Sequence, residues 1–486
     1  MSLRFVLTVV SFVAIWAGPL EAEESGNPWQ LIAREDARAA LELIESNHPG
    51  ADPSLGDARF LERIRIARAN VEQRLTKVDS YPAYNALMSG LAADFGDGHI
   101  WSTALVEYKF RAWTGIILSR RGGAWIVGAQ EQHDGERDIV GFRLVSCDGA
   151  DVDAWARERI GLFKGNPEVE SQLAQNAAWL LLRDGNPFLT RPESCVLESP
   201  QGVREQVDLN WRQIQVADLE PFIVRAEGKR TGAGMGVEKF DRGYWIKLET
   251  LGAGAAEVVA EVDKHQKELR TAPMVVLDLR GNGGGDSSYA SAIATTLVGA
   301  ETVAAAARPA DDCRGAFWRV SPGNLEMLRG WRDRLARDDA KSFSYVSDLV
   351  QDMEAALIES RAFAPALPSC AREPSTEIIA DGHKLPSPEM LGRLVLLTDR
   401  SCFSSCLIAA DLFLRLGALH VGEATDVSTR YMEVRQEVLP SGIRTFSTLQ
   451  KVALGLEDYG PFEPEVNYSG DLADTEKIQG WISQLQ

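Results

Sequence analysis

Residues 393–414 read RLVLLTDRSCFSSCLIAADLFL, and the rest of the chain is organised around this stretch. The run from Leu394 to Leu397 is short and apolar, as in a buried strand, whereas from Ser405 onward the apolar residues recur with a helical period. This junction predicts that Ser404 lies in or just before the first helical turn, where free backbone N–H groups and the helix dipole stabilise negative charge. Ser404 is therefore a candidate nucleophile.

The same junction has a simpler interpretation. Ser401 or Ser404 could cap the helix by accepting a backbone hydrogen bond, and capping is the commoner role of a serine at an isolated strand-to-helix junction. Residues elsewhere in the chain have to decide between a cap and a nucleophile.

Length and composition indicate an ordinary globular protein. A chain of 486 residues is long enough for two or three domains. Its net charge of -19, from 51 basic and 70 acidic residues, argues against nucleic acid or an anionic membrane as a partner. The six histidines are scattered and form no metal-binding motif, so we expect neither a metal nor another cofactor.

The amino terminus has the pattern of a secretory signal peptide. Arg4 precedes an apolar run over residues 5–17, and the small residue Ala22 suits cleavage, so residues 1–22 are predicted to be removed. The run is shorter than the roughly 20 residues that span a bilayer. We expect an exported protein that is not inserted stably in a membrane after cleavage. The predicted location is the periplasm, and the alternative is the extracellular space.

The even number of cysteines, six, permits three disulfides in an oxidising compartment. We expect neighbours that bracket a structural unit to pair, namely Cys147 with Cys195 and Cys313 with Cys370. Cys402 and Cys406 lie on either side of Ser404, at a helical spacing that approaches the longest distance a disulfide can bridge. The pair could form a disulfide or remain as two small buried thiols, and the sequence does not decide between these alternatives.

Two regions precede the core. Residues 28–101 have helical periodicity and end in the loop Asp-Phe-Gly-Asp-Gly-His99, whose imidazole is a candidate general base or an ordinary loop residue. Residues 102–212 contain short β-rich runs and resemble a PDZ domain. In that resemblance the segment Gly115, Ile116 and Ile117 is the edge that captures an extended peptide, and a β-barrel that only braces its neighbour is the alternative.

Residues 213–486 alternate strands with helices, as in an α/β core, interrupted by a mostly helical insertion over residues 301–386. A buried strand runs into the turn Arg-Gly-Asn-Gly-Gly-Gly285. This turn has neither the spacing of a dinucleotide fingerprint nor the Lys-Ser/Thr of a P-loop. Its glycines instead allow backbone N–H groups to approach a substrate oxygen closely.

Three separated segments now carry a family resemblance. In chain order they are Phe-Gly-Asp-Gly-His99, Val-Leu-Asp-Leu-Arg-Gly-Asn-Gly-Gly-Gly285 and Leu-Leu-Thr-Asp-Arg-Ser-Cys-Phe-Ser404. Together they resemble the signatures of the tail-specific (C-terminal processing) serine peptidases, a family that includes the tricorn core and the interphotoreceptor retinoid-binding protein repeats. The resemblance implies a multidomain α/β protein with a helical start, a PDZ-like domain and a core of the ClpP/crotonase type.

The resemblance also implies roles for particular residues. Ser404 becomes the nucleophile and the N–H groups of Ser405 and of Gly283 or Gly284 become the oxyanion hole. One branch of the family uses a lysine base, but Ser428 occupies its position here and no lysine lies between Ser404 and Lys451. The tricorn-like branch uses a histidine, which His99 matches, with an acidic residue from the C-terminal segment; we choose Glu463.

The chain departs from the family at two places. Gly98 stands where tricorn has a serine beside its histidine, and Ser405-Cys406 follows the nucleophile where the family commonly has Ala-x-Glu. We predict an exported serine endopeptidase that acts on proteins or unfolded tails. The alternative is a catalytically inactive relative that binds peptides or small apolar ligands.

Overall fold

The computed structural model describes residues 27–135, 137–183, 185–228, 234–306, 314–336, 340–368, 389–456 and 459–485. The predicted signal peptide and the predicted Cys313–Cys370 pair lie outside these ranges. Within them the prediction of a mixed α/β protein is confirmed. None of the helices described here combines the length and the hydropathy needed to cross a membrane.

The chain begins with three helices that end at the loop of His99. Side chains cap the first two, since Asn27 accepts a hydrogen bond from the N–H of Trp29 and Asp57 accepts one from Phe60, both at 2.9 Å. Their apolar faces share one core with the C-terminal part of the chain. The helices are α1 (Pro28–Asn47), α2 (Ala58–Leu75) and α3 (Tyr81–Ala93).

A β-rich unit follows. Its main sheet has the strand order β3-β4-β5-β8-β9, with β6 beside β5, and a small sheet has the order β10-β2-β7. The predicted Cys147–Cys195 disulfide is confirmed and joins β5 to β8. The elements are β1 (Ser102–Ala104), β2 (Phe110–Trp113), β3 (Ile116–Arg121), β4 (Ala124–Gln130), β5 (Arg143–Cys147), β6 (Ala150–Asp151), α4 (Val152–Phe163), α5 (Glu170–Gln175), β7 (Leu182–Arg183), β8 (Ser194–Glu198), β9 (Arg204–Asp208), β10 (Arg212–Gln215) and α6 (Val216–Glu227).

The remaining chain alternates strands and helices as the sequence predicts. Its elements are β11 (Gly236–Phe240), β12 (Gly243–Lys247), α7 (Ala255–Lys264), α8 (Gln266–Thr271), β13 (Met274–Asp278), α9 (Ser288–Val298), α10 (Ala300–Ala306), β14 (Gly315–Arg319), α11 (Pro322–Leu335), α12 (Ala340–Ile358), β15 (Phe363–Ala364), β16 (Arg393–Thr398), α13 (Ser405–Arg415), β17 (Leu419–Gly422), β18 (Tyr431–Val438), β19 (Arg444–Leu454), β20 (Val466–Asn467) and α14 (Thr475–Ile482).

The core sheet brings two turns together. Its strand order is β11-β12-β13-β16-β17-β20, and every pair except β11 with β12 is parallel. Strands β13 and β16 are direct neighbours, with Asp278 opposite Leu397. Because parallel strands end at the same edge of a sheet, the glycine turn after β13 and the serine turn after β16 lie side by side.

A second sheet connects the N-terminal helices to the rest of the chain. Strand β19 pairs with β1, β14 and β18, and β15 extends the sheet beside β14. Strands β14 and β15 come from the predicted insertion, so that segment contributes strands to a sheet as well as helices α11 and α12. Strand β1 follows the loop of His99, and the hydroxyl of Ser447 on β19 donates to the His99 carbonyl at 2.9 Å. The C-terminal part of the chain thus holds this loop.

Two buried imidazoles predict a loss of stability in acid. Burial lowers the pKa of His48 to about 3 and that of His420 to about 4, because a charged ring would lose its hydration. The unfolded chain binds these protons near pH 6.5, so each imidazole lowers the free energy of unfolding by about 1.4 kcal/mol per pH unit below that value, until the folded pKa is reached.

We therefore expect the free energy of unfolding, measured by urea titration, to fall as the pH decreases from about 6.5 to about 4.5. A His420→Gln variant should show a shallower fall, since it lacks one of the two groups. The matched control is His133→Gln, because that side chain is exposed. Identical pH slopes in the His420 variant and the unmodified protein would contradict this explanation.

Candidate active site

Ser404 occupies a strained backbone conformation at the start of a helix. Its φ of 57° and ψ of -127° lie in a region that non-glycine residues rarely adopt, at a cost on the order of 1–3 kcal/mol. Ser404 is the N-cap residue of α13, yet its side chain makes no capping hydrogen bond. The geometry therefore does not favour the interpretation of Ser404 as a simple cap, and the hydroxyl is available for another role.

The glycine turn after β13 packs directly against Ser404. A Cβ atom added to Gly284 would lie 2.8 Å from Ser404 Cβ and 2.9 Å from the Ser405 nitrogen, so only glycine fits without displacement. The hydroxyl of Ser405 donates to the Gly285 carbonyl at 2.6 Å, and the Phe403 N–H donates to the Asn282 carbonyl at 3.2 Å. These two bonds join the two turns on either side of Ser404.

Two backbone N–H groups beside Ser404 are available to an oxyanion. In the part of the chain that the structure describes, neither the Ser405 N–H nor the Gly283 N–H donates a hydrogen bond. The Gly284 N–H, in contrast, donates to Asn282 Oδ1 at 2.9 Å. Asn282 is fully buried and also donates from Nδ2 to the Leu248 carbonyl at 2.7 Å, so its position is set. Of the two predicted glycine donors, Gly283 is therefore the one whose N–H is not already used in a hydrogen bond.

His99 is held by a carboxylate that the sequence analysis did not single out. Asp97 Oδ1 lies 3.2 Å from His99 Nδ1 and accepts the His99 backbone N–H at 2.8 Å. Both residues are buried, with 7% exposure each, and Thr429 donates its hydroxyl to Asp97 Oδ2. Although burial opposes it, hydrogen bonds from His99 and Thr429 hold the pKa of Asp97 below its ordinary value. An ionised Asp97 assigns the proton to Nδ1 and leaves Nε2 as the basic nitrogen.

The imidazole of His99 lies against the residue that precedes Ser404. The ring centroids of His99 and Phe403 are 4.4 Å apart, with planes tilted by 35°. A Cβ atom at Gly98 would lie 2.7 Å from Phe403 Cζ, so any larger residue at this position would have to displace the Phe403 ring. His99 and Ser404 do not form a hydrogen bond with each other in this structure. In substrate-free enzymes such catalytic bonds are often long.

The predicted acidic partner, Glu463, lies elsewhere. Its side chain is exposed, and its backbone carbonyl is 3.2 Å from Nδ1 of His420 rather than near His99. Asp97 is the carboxylate in contact with His99, so it is the better candidate for the orienting group. Asp458, another acidic residue of that segment, lies outside the described residues. Lys451 forms an ion pair with Glu433 at 2.8 Å.

The predicted peptide-binding segment is at a sheet edge but is covered. Strand β3 is the terminal strand of its sheet, as expected for Ile116 and Ile117, and Gly115 precedes it. Ile116 is 7% exposed and Ile117 is fully buried. Arg400, from the turn before Ser404, donates to the Arg120 carbonyl of β3 at 3.3 Å. The residues chosen for peptide capture are therefore packed against the protein itself.

A cleft of about 1170 Å³ opens between the β-rich unit and the core. Gly281 and Ser401, from the two turns that meet at Ser404, line it together with Tyr468. Arg121 and Gln175 of the β-rich unit also line it. The cleft therefore borders both turns, although Ser404, Gly283 and His99 are not among the residues that line it. Within the described ranges, no group of three or more His, Cys, Asp or Glu residues is arranged to hold a metal ion.

Sequence reasoning missed Asp97, Asn282 and Thr429. Asp97 had a detectable signal, since an aspartate two residues before a histidine can accept that residue's backbone N–H and reach its ring. Asn282 lies inside the quoted glycine motif, where its role in orienting a glycine was not recognised. Thr429 is 332 residues from its partner Asp97, and no local pattern predicts such a contact.

Comparison with known proteins gives one family and a group of similar folds. Residues 243–445 match the model of Peptidase family S41. Mature CPAF in complex with lactacystin is similar in structure, with a TM-score of 0.60 and 14% identity over 93% of this chain and 99% of that chain. A second structure of mature CPAF has a TM-score of 0.57 and 12% identity over 93% and 98% of the two chains. At these identities the likeness establishes the fold alone. No curated protein sequence matches the chain.

Proposed function

We propose that this chain, whose residues 243–445 match the model of Peptidase family S41, is a serine peptidase that hydrolyses peptide bonds through an acyl-enzyme formed on Ser404, with His99 as the general base. One observation carries the proposal. Ser404, in a strained turn at a helix N-terminus, touches Gly284 of the glycine turn, and the residue before it packs against an imidazole held by a buried carboxylate.

The mechanism follows from these positions. Ser404 Oγ attacks the peptide carbonyl while His99 Nε2 accepts the hydroxyl proton, and the N–H groups of Ser405 and Gly283 bind the oxyanion. The C–N bond then breaks as His99 returns the proton to the leaving amine. Water then gives a proton to the same nitrogen and attacks the acyl-enzyme, and the acyl–oxygen bond breaks as His99 donates that proton to Ser404 Oγ. Asp97 stays ionised and stabilises the imidazolium that forms in each step.

Substrate binding has to complete this arrangement. His99 and Ser404 are not hydrogen-bonded to each other, so we infer that the bond forms when substrate occupies the site. We propose that an extended polypeptide lies in the cleft beside Gly281 and Ser401, since that cleft leads to both turns. Because β3 is covered by other parts of the protein, a peptide could add as a strand at Ile116 only if the β-rich unit moved.

We further propose that the protein is exported, most simply to the periplasm. The disulfides Cys147–Cys195 and Cys402–Cys406 support an oxidising compartment, as does the amino-terminal sequence pattern.

A fluorophosphonate probe, which reacts with activated serines, tests the proposed activity. We expect labelling of the full-length protein at Ser404, identified by mass spectrometry. Ser404→Ala should abolish it, and His99→Ala should slow it by about 10²–10⁴-fold, the usual contribution of a general base. Ser483→Ala, at the residue that follows α14, is the matched serine control and should label like the unmodified protein. Lactacystin, which CPAF binds, is a second probe to test.

The absence of a hydrogen bond between His99 and Ser404 leaves room for one alternative function. A catalytically inactive relative would keep this fold and bind peptides or small apolar ligands without forming an acyl-enzyme. It predicts no fluorophosphonate labelling at any pH in protein shown to be folded by circular dichroism, together with binding of unfolded peptides. Labelling confined to Ser404 would exclude this alternative.

A further inference from the structure

A disulfide encloses the candidate nucleophile. Cys402 and Cys406 are bonded, with their Cα atoms 5.3 Å apart, which resolves the alternative that the sequence left open. Both residues are fully buried. Cys402 belongs to the turn after β16, and Cys406 lies in the first turn of α13. Ser404 is the middle residue of the five-residue ring that this bond closes.

The backbone inside this ring needs restraint. A non-glycine residue with a positive φ, such as Ser404, persists only where the surroundings hold it. Backbone hydrogen bonds hold parts of the ring, since the Cys402 N–H donates to Asp399 and the Cys406 N–H donates to Phe403, both at 3.1 Å. The disulfide is the covalent restraint that connects the chain before Ser404 to the helix after it.

We propose that the Cys402–Cys406 disulfide positions Ser404 for attack, by keeping its backbone in the strained positive-φ conformation and its hydroxyl clear of the helix cap. The proposal rests on the proposed function of Ser404. If the bond is absent, the turn can relax to an ordinary N-cap geometry, in which the serine hydroxyl accepts a hydrogen bond from α13 and is less able to attack. Because both cysteines are fully buried, the disulfide would act through Ser404 and not by binding substrate.

The second disulfide, Cys147–Cys195, provides a comparison that distinguishes an effect on the position of Ser404 from an effect on global stability. The entropy lost from the unfolded chain grows with the length of the closed loop, and the two bonds close loops with sequence separations of 4 and 48 residues. Cys147–Cys195 should therefore contribute more to global stability, although it lies in the β-rich unit away from Ser404. Cys402–Cys406 should contribute less to stability and more to the reactivity of the serine.

The experiment compares the double variants Cys402→Ala/Cys406→Ala and Cys147→Ala/Cys195→Ala in the full-length chain. For each we would measure the thermal midpoint and the kinetics of fluorophosphonate labelling at Ser404, resolved into the limiting rate kinact and the half-saturating concentration KI. We expect loss of Cys402–Cys406 to lower kinact at least tenfold with KI nearly unchanged. Loss of Cys147–Cys195 should lower the thermal midpoint more but leave kinact within about twofold while the protein is folded.

Other results would overturn the proposal. A kinact within twofold of the unmodified protein after removal of Cys402–Cys406 overturns the positioning role and leaves the proposed function intact. Folded unmodified protein that is not labelled at Ser404 overturns the proposed function and the positioning role together. If the double alanine variant does not fold, Cys402→Val/Cys406→Ala, which restores most of the lost side-chain volume, takes its place under the same criteria.

Discussion

Replacing Asp97 by Asn should lower the rate of Ser404 labelling and of peptide hydrolysis by about 10³–10⁴-fold with little change in structure. An amide at this position can keep the hydrogen bond from the His99 backbone, but it offers no negative charge to the imidazolium. Its NH₂ group can also face His99 Nδ1 and reverse the tautomer. The basic nitrogen would then point away from Ser404.

The pH profile provides a second measurement of the Asp97→Asn variant. Because the imidazolium loses its neighbouring anion, the acidic limb of the rate profile should move to lower pH. The matched control is Asp36→Asn, which removes another buried carboxylate, hydrogen-bonded to Tyr84 and Ser441. This control should reduce stability and leave the rate within about threefold below the unfolding temperature, since the hydrogen bonds of Asp36 go to Tyr84 and Ser441 and not to His99. A profile and rate for Asp97→Asn that match those of the control would contradict the orienting role.

Replacing Gly284 by Val should reduce the labelling rate by at least about 10²-fold, comparable to the loss of an oxyanion-hole donor. The added side chain would begin 2.8 Å from Ser404 Cβ and 2.9 Å from the Ser405 nitrogen. It would also sit at a φ of 103°, which favours glycine. The two turns would have to separate, and the oxyanion donors would no longer point at one place.

Gly283→Ala is the matched comparison for this prediction. A Cβ atom there meets nothing within 4 Å, and the backbone N–H that we assign to the oxyanion hole is kept. We expect a loss of less than about tenfold, well below that of Gly284→Val. Thermal midpoints of both variants should be measured, so that rates are compared in folded protein. Equal losses in the two variants would mean that close approach at Gly284 is not what sets the geometry.

Local sequence patterns predicted the elements that carry the site. The apolar run of residues 394–397 and the helical period after Ser405 gave a strand, a turn and a helix, and the structure has β16 and α13 in those places. The first helices and the α/β alternation of the core were equally readable, because amphipathic periodicity reflects which face of a helix or strand is buried. Neighbouring cysteines gave the Cys147–Cys195 pair, which happens to join adjacent strands.

Contacts between residues that are distant in the chain could not be predicted from local sequence patterns. The choice of Glu463 followed a family pattern, whereas the carboxylate beside His99 is Asp97, only two residues away. The edge strand at Ile116 had the pattern of a peptide-binding edge, but burial by other elements is invisible in that pattern. Gly284 looked equivalent to Gly283 until its N–H proved to be bound by Asn282.

The sequence by itself determined the strand-turn-helix of Ser404, the glycine turn and the histidine loop, because each depends on residues within a few positions of one another. Only the tertiary structure decided that β13 and β16 are adjacent parallel strands and that Thr429 supports Asp97. The same holds for the closing of a disulfide around Ser404. The physical reason is that hydrogen bonds, disulfides and burial depend on distances in space, and separation along the chain does not set those distances once it has folded.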